Sequence, residues 1–187
     1  MGWEIRKRAN GFAYTLIRIF RIMKSPEKRV SQVWNDLKEL HIKEDWRHGI
    51  YEKERFIETG FDIGNMVLRF YYSVDESFFH CRAKVLEDYP VDMTSDIFIL
   101  AAHFNNSLRI GTVSVNVNYG YVELHVKRDL LLPLLYKGEI YSNINSHYSI
   151  ATDVYAAYQR LVTEREAPAI IFADLLRRND RQLGNTE

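Results

Sequence analysis

Along the middle of the chain, apolar residues recur first at every second position, then about every 3.6 positions, and then again at every second position. Phe61–Val74 and Ser77–Glu87 alternate apolar and polar residues as paired strands do. Thr94–Leu108 carries a helical stripe, and Gly111–Asn118 with Gly120–Leu132 alternates again. A strand–strand–helix–strand–strand order with short connections predicts an antiparallel sheet with helices packed mainly on one face. The expected fold class is therefore α+β.

Helical segments flank this block on both sides. Ser25-Pro26-Glu27 offers an N-cap, a proline suited to the first helical position and an acid in the first turn, so a helix is predicted over 26–41. Helices are also predicted over 12–23 and Gly138–Glu166, with a shorter one over Ala169–Arg178. The expected element order is then α-α-β-β-α-β-β-α, with a sheet of about four or five strands, and Arg55–Thr59 is compatible with a short edge strand.

We expect all 187 residues to form a single domain. A chain of this length buries about 70% of its unfolded surface. Its 47% content of apolar residues is typical of a folded globule. No internal repeat, low-complexity tract or long linker marks a boundary, so we take 26–165 as the core, with helix 12–23 and segment 168–187 as extensions.

Charge and cysteine content restrict the class of protein. Lys and Arg number 25, as do Asp and Glu, so no overall field attracts nucleic acid. A single cysteine, Cys81, excludes an intramolecular disulfide and suits a reducing compartment. Arg18 and Arg21 interrupt the first apolar run, which disfavours a secretory signal, and no window reaches the roughly 20 apolar residues of a membrane span. We predict a cytoplasmic protein.

The first 29 residues are strongly basic, with eight Lys or Arg against two Glu, a balance of +6 that leaves −6 for the remainder. We interpret this block as a solvated face or as internal charge complementarity. A basic amphipathic helix over 12–23 could also lie on an anionic membrane. Membrane association is nevertheless the less favoured prediction.

The central block resembles the YbjN-like family, whose fold is that of the type III secretion chaperones. The similarity rests on the strands Met66–Tyr72 and Phe79–Val85, on Pro90 before a helix that ends in Asn105-Asn106, and on the valine strand that begins at Gly111. It covers residues 26–165. The resemblance implies an α+β domain, frequently a homodimer, that acts through protein contacts and has no catalytic residue to transfer.

No combination of residues predicts catalysis or a bound cofactor. None of the six histidines has a zinc-type spacing to Cys81 or to a second histidine. Cys81 lies on the apolar side of its predicted strand, where a thiol is buried and inert. The acids Asp75-Glu76, Glu87-Asp88 and Asp92 could do acid–base chemistry, but at strand ends we interpret them as turn and solubility residues. We predict no enzyme, no metal site and no cofactor.

The polar side of the predicted sheet is the surface best suited to a partner. It mixes Tyr and Arg, which are enriched in protein interfaces, with other aromatic side chains and His. Terminal helices could equally cover this side. An RNA-binding sheet would require a basic platform, which the neutral composition disfavours. The candidate partner-binding residues are Arg69, Tyr71, Phe78, His80, Arg82, Tyr121 and His125.

These observations favour a non-enzymatic protein-interaction module, chaperone-like or regulatory, that binds a protein or peptide and forms a homodimer. The alternative is a small-molecule sensor or an enzyme. Its pocket would lie between the sheet and the long C-terminal helix, with Tyr148, Tyr155 and Tyr158 near the rim.

Overall fold

The computed structural model describes residues 19–20, 23–63, 66–130 and 137–184, with the backbone alone for residue 137 and residues 179–184. Its strands are β1 (His48–Tyr51), β2 (Phe56–Ile63), β3 (Met66–Val74), β4 (Phe78–Glu87), β5 (Thr112–Asn116) and β6 (Tyr121–Asp129). Its helices are α1 (Pro26–Lys43), α2 (Thr94–Ser107), α3 (Lys137–Glu164) and α4 (Pro168–Gly184), and a 3₁₀ turn covers Val91–Met93. The predicted helix 12–23 falls mostly outside the described residues.

The strands form one antiparallel open sheet in the order β1-β2-β3-β4-β6-β5. The α+β class is therefore confirmed, but the sheet has six strands where about four or five were predicted. The element order also differs, because two strands, β1 and β2, precede the predicted pairs. α4 lies where a shorter helix was predicted over Ala169–Arg178. β1 pairs with β2 from His48↔Thr59 to Tyr51↔Phe56, so β2 is an inner strand and not the edge.

The two errors in the strand prediction have different causes. Between β2 and β3, the apolar alternation does not break where the chain changes strand. The run Phe61–Val74 contains both the end of β2 and all of β3. β1 has four residues, of which three are exposed, so it carries almost no apolar pattern. Sequence periodicity cannot find a strand that buries so little.

The chain divides into two compact units. Unit 1 comprises Met1–Gly60, Tyr71–His80 and Lys127–Asn145. Inside it, the ring of Tyr72 stacks on Phe79 at 6.1 Å between centroids, and His41 of α1 packs against Tyr72 at 5.6 Å. The α1 residues that are buried at its apolar side are Val30, Val33, Trp34, Leu37, Leu40 and His41.

Unit 2 comprises Phe61–Phe70, Cys81–Val126 and Ser146–Glu187. Here Phe70 of β3 meets the ring of Tyr148 on α3 at 5.9 Å. Tyr158 is fully buried, and its hydroxyl donates to the Ile97 carbonyl of α2 at 3.2 Å. The strands and helices of this unit therefore share one apolar core.

β5 is an edge strand of the described sheet, and a side chain of α2 covers part of that edge. The Asn105 amide accepts from the Val113 N–H at 2.7 Å and donates to the Val113 carbonyl at 2.9 Å. In an antiparallel strand, the N–H and the C=O of one residue point to the same side. Those of Val113 therefore point away from β6. Asn105 thus takes the place that a further strand would occupy.

Local features agree with the sequence patterns except at one strand end. The Asp75 carboxylate accepts from the N–H groups of Ser77 and Phe78, as expected of a turn acid. Val117 belongs to the alternating run Gly111–Asn118, but it lies in the β5–β6 turn and is 56% exposed. α2 begins at Thr94, where the helical stripe was predicted to start, and Met93 occupies its N-cap position. No helix among the described residues combines the length and the apolar character required to cross a membrane.

Candidate binding site

The structure places the seven predicted partner-binding residues in both units, all exposed or half-buried. Tyr71, Phe78 and His80 belong to unit 1, and Arg69, Arg82, Tyr121 and His125 belong to unit 2. Each set is considered by itself.

The three residues of unit 1 are held by near neighbours. His80 lies 2.7 Å from the Asp75 carboxylate. Partial burial disfavours ionisation of Asp75, but hydrogen bonds from Ser77, His80 and Phe78 outweigh it and lower the pKa of the carboxyl. The Lys127 ammonium lies 3.5 Å from the centroid of the Phe78 ring.

Tyr71 stacks on Phe56 of the neighbouring strand at 5.7 Å between ring centroids. Stacking and ion pairing of this kind fix the side chains of unit 1 against one another. These contacts are those of a stabilised sheet surface.

In unit 2, Lys84 of β4 connects an aromatic ring to a carboxylate. Its ammonium lies 5.0 Å from the centroid of the Tyr121 ring and 3.3 Å from the Glu87 carboxylate. The Tyr121 hydroxyl accepts from the Asn116 amide at 3.2 Å, which fixes the ring on β6. The ring and the cation are thus presented on strands, whose positions are more precise than those of loops.

Glu123 of β6 shares this surface with the two cations of β4. Burial raises the pKa of the Glu123 carboxyl, while the charges of Arg82 and Lys84 act in the opposite direction. Sequence alternation placed Lys84 and Glu123 on the polar side of their strands, but neither was among the predicted partner-binding residues. We call Arg82, Lys84, Tyr121 and Glu123 the β4–β6 patch.

A cavity of about 310 Å³ lies within unit 2, at one end of β3 and β4. Its apolar wall includes Leu68, Val85 and Leu86, which are 6%, 1% and 7% exposed. Arg69 and Lys84 bring two positive charges to the lining. The lining residues are Ile63, Met66, Val67, Leu68, Arg69, Lys84, Val85, Leu86, Glu87, Tyr155 and Gln159.

This cavity corresponds only partly to the pocket expected beside the long helix. Tyr155 of α3 lines it, and its hydroxyl donates to the Met66 sulfur at 2.7 Å. Tyr148 instead packs edge-on against Phe61 at 5.4 Å. Tyr158 lies fully buried, where burial raises the pKa of its phenol. One of the three tyrosines named for the rim is therefore found there.

Among the described residues, no group of three or more His, Cys, Asp or Glu side chains is placed to hold a metal ion. Cys81 is 0% exposed, which keeps its sulfur from solvent. The cavity combines an apolar wall with charged side chains, and the β4–β6 patch combines an aromatic ring with charged side chains.

Neither a family model nor a curated protein matches the sequence.

Proposed function

We propose that this protein is a non-enzymatic interaction module, chaperone-like or regulatory, that binds a segment of a protein partner on the β4–β6 patch. The observation that carries the proposal is the position of the Lys84 ammonium, 5.0 Å from the Tyr121 ring centroid on adjacent strands. Tyrosine is among the residue types enriched in interface hot spots, and the cation beside the Tyr121 ring holds that ring in place on the strand. Glu123 adds a carboxylate that can orient a partner's backbone or basic side chain.

The resemblance to YbjN-like proteins and type III secretion chaperones supports the same proposal. The described chain has the antiparallel hairpin β3–β4, then α2, then the hairpin β5–β6 and a long helix, which is the order on which the resemblance rests. Homodimer formation and a cytoplasmic location belong to the proposal for the same reason. Nucleic acid remains an unfavoured partner because positive and negative charges balance.

The experiment is a pull-down from native lysate, analysed by mass spectrometry at low and high salt. The bait is the full chain, alongside the variants Arg82→Gln and Tyr121→Ala. Arg109→Gln serves as the matched control, since Arg109 lies outside the patch and is exposed. We expect a partner that wild type and Arg109→Gln retain and that both patch variants lose. A partner retained equally by all four chains would overturn the proposal.

A second function, binding of a small molecule in the cavity, is favoured by one observation. Arg69 and Lys84 meet an apolar wall in a space of about 310 Å³, which is at the lower end of the range of ligand pockets. A thermal-shift screen against a metabolite panel distinguishes the two functions. Stabilisation by one metabolite, lost in Arg69→Gln, would favour the sensor, and turnover of a metabolite would refute a non-enzymatic role.

A further inference from the structure

We infer that the cavity beside β3 and β4 binds an apolar side chain that lies next to a carboxylate on a segment of a protein partner. This inference deepens the proposed function and rests on it. It assigns to the cavity a class of ligand, and to Arg69 and Met66 a part in recognition.

The apolar part of the ligand is required by the cavity wall. Leu68, Val85 and Leu86 are almost fully buried, yet each contributes to the lining. An apolar group that enters removes the remaining surface of this wall from water, which is favourable in proportion to the area covered. A side chain the size of leucine or phenylalanine suits a space of about 310 Å³.

Met66 makes the cavity adaptable. Its side chain is 53% exposed and touches Tyr155 through its sulfur, at 2.7 Å from the hydroxyl. A methionine side chain is unbranched and polarisable, so it can adjust to ligands of different shape. The cavity is therefore suited to a set of related apolar side chains.

The charges at the cavity select a carboxylate over an amine. Arg69 and Lys84 are positive, whereas Glu87 is the single acid of the lining and lies 3.3 Å from Lys84. Arg69 is exposed, and a guanidinium can bind a carboxylate through two parallel hydrogen bonds. An acid beside the apolar side chain would gain these bonds, whereas a base would meet the like charge of Arg69, since Glu87 already pairs with Lys84.

The exposure of the cavity rim indicates that the apolar side chain and the carboxylate belong to a protein segment and not to a small molecule. Met66 and Val67 are 53% and 51% exposed, so the cavity is open on that side. Small ligands are usually held in pockets that bury most of their surface. An open cavity instead accepts one side chain while the main chain of the ligand passes over the rim, here toward Lys84 and the β4–β6 patch.

The test is a titration of the full-length ¹⁵N-labelled protein with short capped peptides, followed by NMR. The probes are acetyl-Ser-Glu-Leu-Glu-Ser-amide, its Lys-for-Glu counterpart and its Ser-for-Leu counterpart. We expect the first to bind in the range of about 1 mM and to shift the amide signals of Met66 and Lys84. The other two should bind at least about tenfold more weakly. Equal binding of all three, or of none, would overturn the inference.

Two variants and one control locate the site. Arg69→Gln should weaken the acidic peptide about two- to fivefold, the usual range for one solvent-exposed charge pair. Met66→Ser should weaken it by a similar factor without changing the preference for Glu over Lys. Arg109→Gln, an exposed cation that neither lines the cavity nor belongs to the patch, should leave this affinity unchanged. Equal loss in Arg69→Gln and Arg109→Gln would contradict a role for the cavity.

Sodium octanoate, tested in parallel, distinguishes the two sources of an apolar carboxylate. Tighter binding of octanoate than of the acidic peptide would overturn the inference and favour the small-molecule function. Weaker binding of octanoate would support a protein segment. A pull-down partner that is lost in Tyr121→Ala but unaffected by Arg69→Gln would leave the proposed function standing and refute this inference alone.

Discussion

A single amide, that of Asn105, bonds both main-chain groups of one residue in an edge strand. It bonds the N–H and the carbonyl of Val113 at 2.7 and 2.9 Å, the pattern that a neighbouring strand would supply. Unpaired edges are templates for association with other chains, and native proteins protect them by several means. Asn105 therefore contributes both to stability and to the restriction of edge pairing.

Replacing Asn105 by Ala should lower the free energy of unfolding by about 1–2 kcal/mol, because two hydrogen bonds are lost at a partly exposed site. Urea denaturation measures this change, and light scattering should show faster aggregation of the variant. The matched control is Asn106→Ala, whose side chain is also exposed on α2. If both variants unfold at the same urea concentration, the bonds of Asn105 contribute nothing to stability.

Gly111 occupies a position where the backbone conformation and the surrounding atoms both disfavour a side chain. Its φ is +98°, and a Cβ there would lie 2.9 Å from Val126 Cγ2 and 3.3 Å from the His125 carbonyl oxygen. Gly120 has a φ of +63°, but a Cβ on this residue would meet no atom within 4 Å. A side chain at Gly120 would thus introduce backbone strain alone, whereas one at Gly111 would introduce both strain and steric overlap.

We expect Gly111→Ala to destabilise the protein by about 2–4 kcal/mol, the sum of backbone strain and overlap with Val126. Gly120→Ala should cost about 1 kcal/mol, from strain alone. Thermal denaturation by circular dichroism gives both values. A larger loss in Gly120→Ala than in Gly111→Ala would contradict this interpretation of the turn and the strand start.

The sequence drew attention to Asn105 and Gly111 but did not predict what these residues do in the structure. Asn105 and Gly111 carried a resemblance to a known family, but no periodicity indicates that an amide of α2 reaches the main chain of β5. Alternation correctly placed Arg82 and Tyr121 on the polar side of their strands. It could not single out Lys84, because the pairing of β4 with β6 that brings it to Tyr121 depends on the strand order of the sheet.

At the scale of the elements, one side chain joins the end of α3 to α4. The Arg160 guanidinium lies 2.6 Å from the Glu166 carboxylate and 3.0 Å from that of Asp174. Hydrogen bonding to Arg160 lowers the pKa of Asp174 despite an opposing desolvation effect. Arginine suits this position because its planar group can serve two carboxylates at once.

Arg160→Lys should therefore weaken the attachment of α4 while it preserves the charge. Limited trypsin digestion should cut within α4 faster than in the wild type, with little change in the helix content measured by circular dichroism. Arg165→Lys is the control, since its partner is Asp92 and not α4. Equal digestion rates in both variants would show that Arg160 does not hold α4.

The bounds of the helices and strands show which sequence patterns predict structure well and which do not. α1 was predicted over 26–41 and is found at Pro26–Lys43, because a long helix repeats its apolar stripe over several turns. β1 was missed and β2 was misplaced, although the sequence contains Gly64-Asn65, a dipeptide typical of hairpin connections. Residue type thus carried a signal here that the period of two did not.

At the scale of the whole molecule, each unit contains one buried histidine. His41 in unit 1 and His147 in unit 2 are 0% and 1% exposed. Burial lowers the pKa of each ring to about 4, and nearby His48 and His125 act in the same direction, against a hydrogen bond with the backbone. Both rings are therefore neutral in the folded protein at pH 7.

Stability should consequently fall as the pH is lowered from about 6.5 to 4. In this window the unfolded chain protonates both histidines, whose ordinary pKa is 6.5, while the folded protein keeps them neutral. Each ring should contribute a loss on the order of 3 kcal/mol, present in full only near pH 4. His41→Gln and His147→Gln should each remove about half of this dependence, and the double variant most of it. Urea midpoints measured from pH 7 to 4 test this, and a midpoint of the wild type that stays constant to pH 5 would refute it.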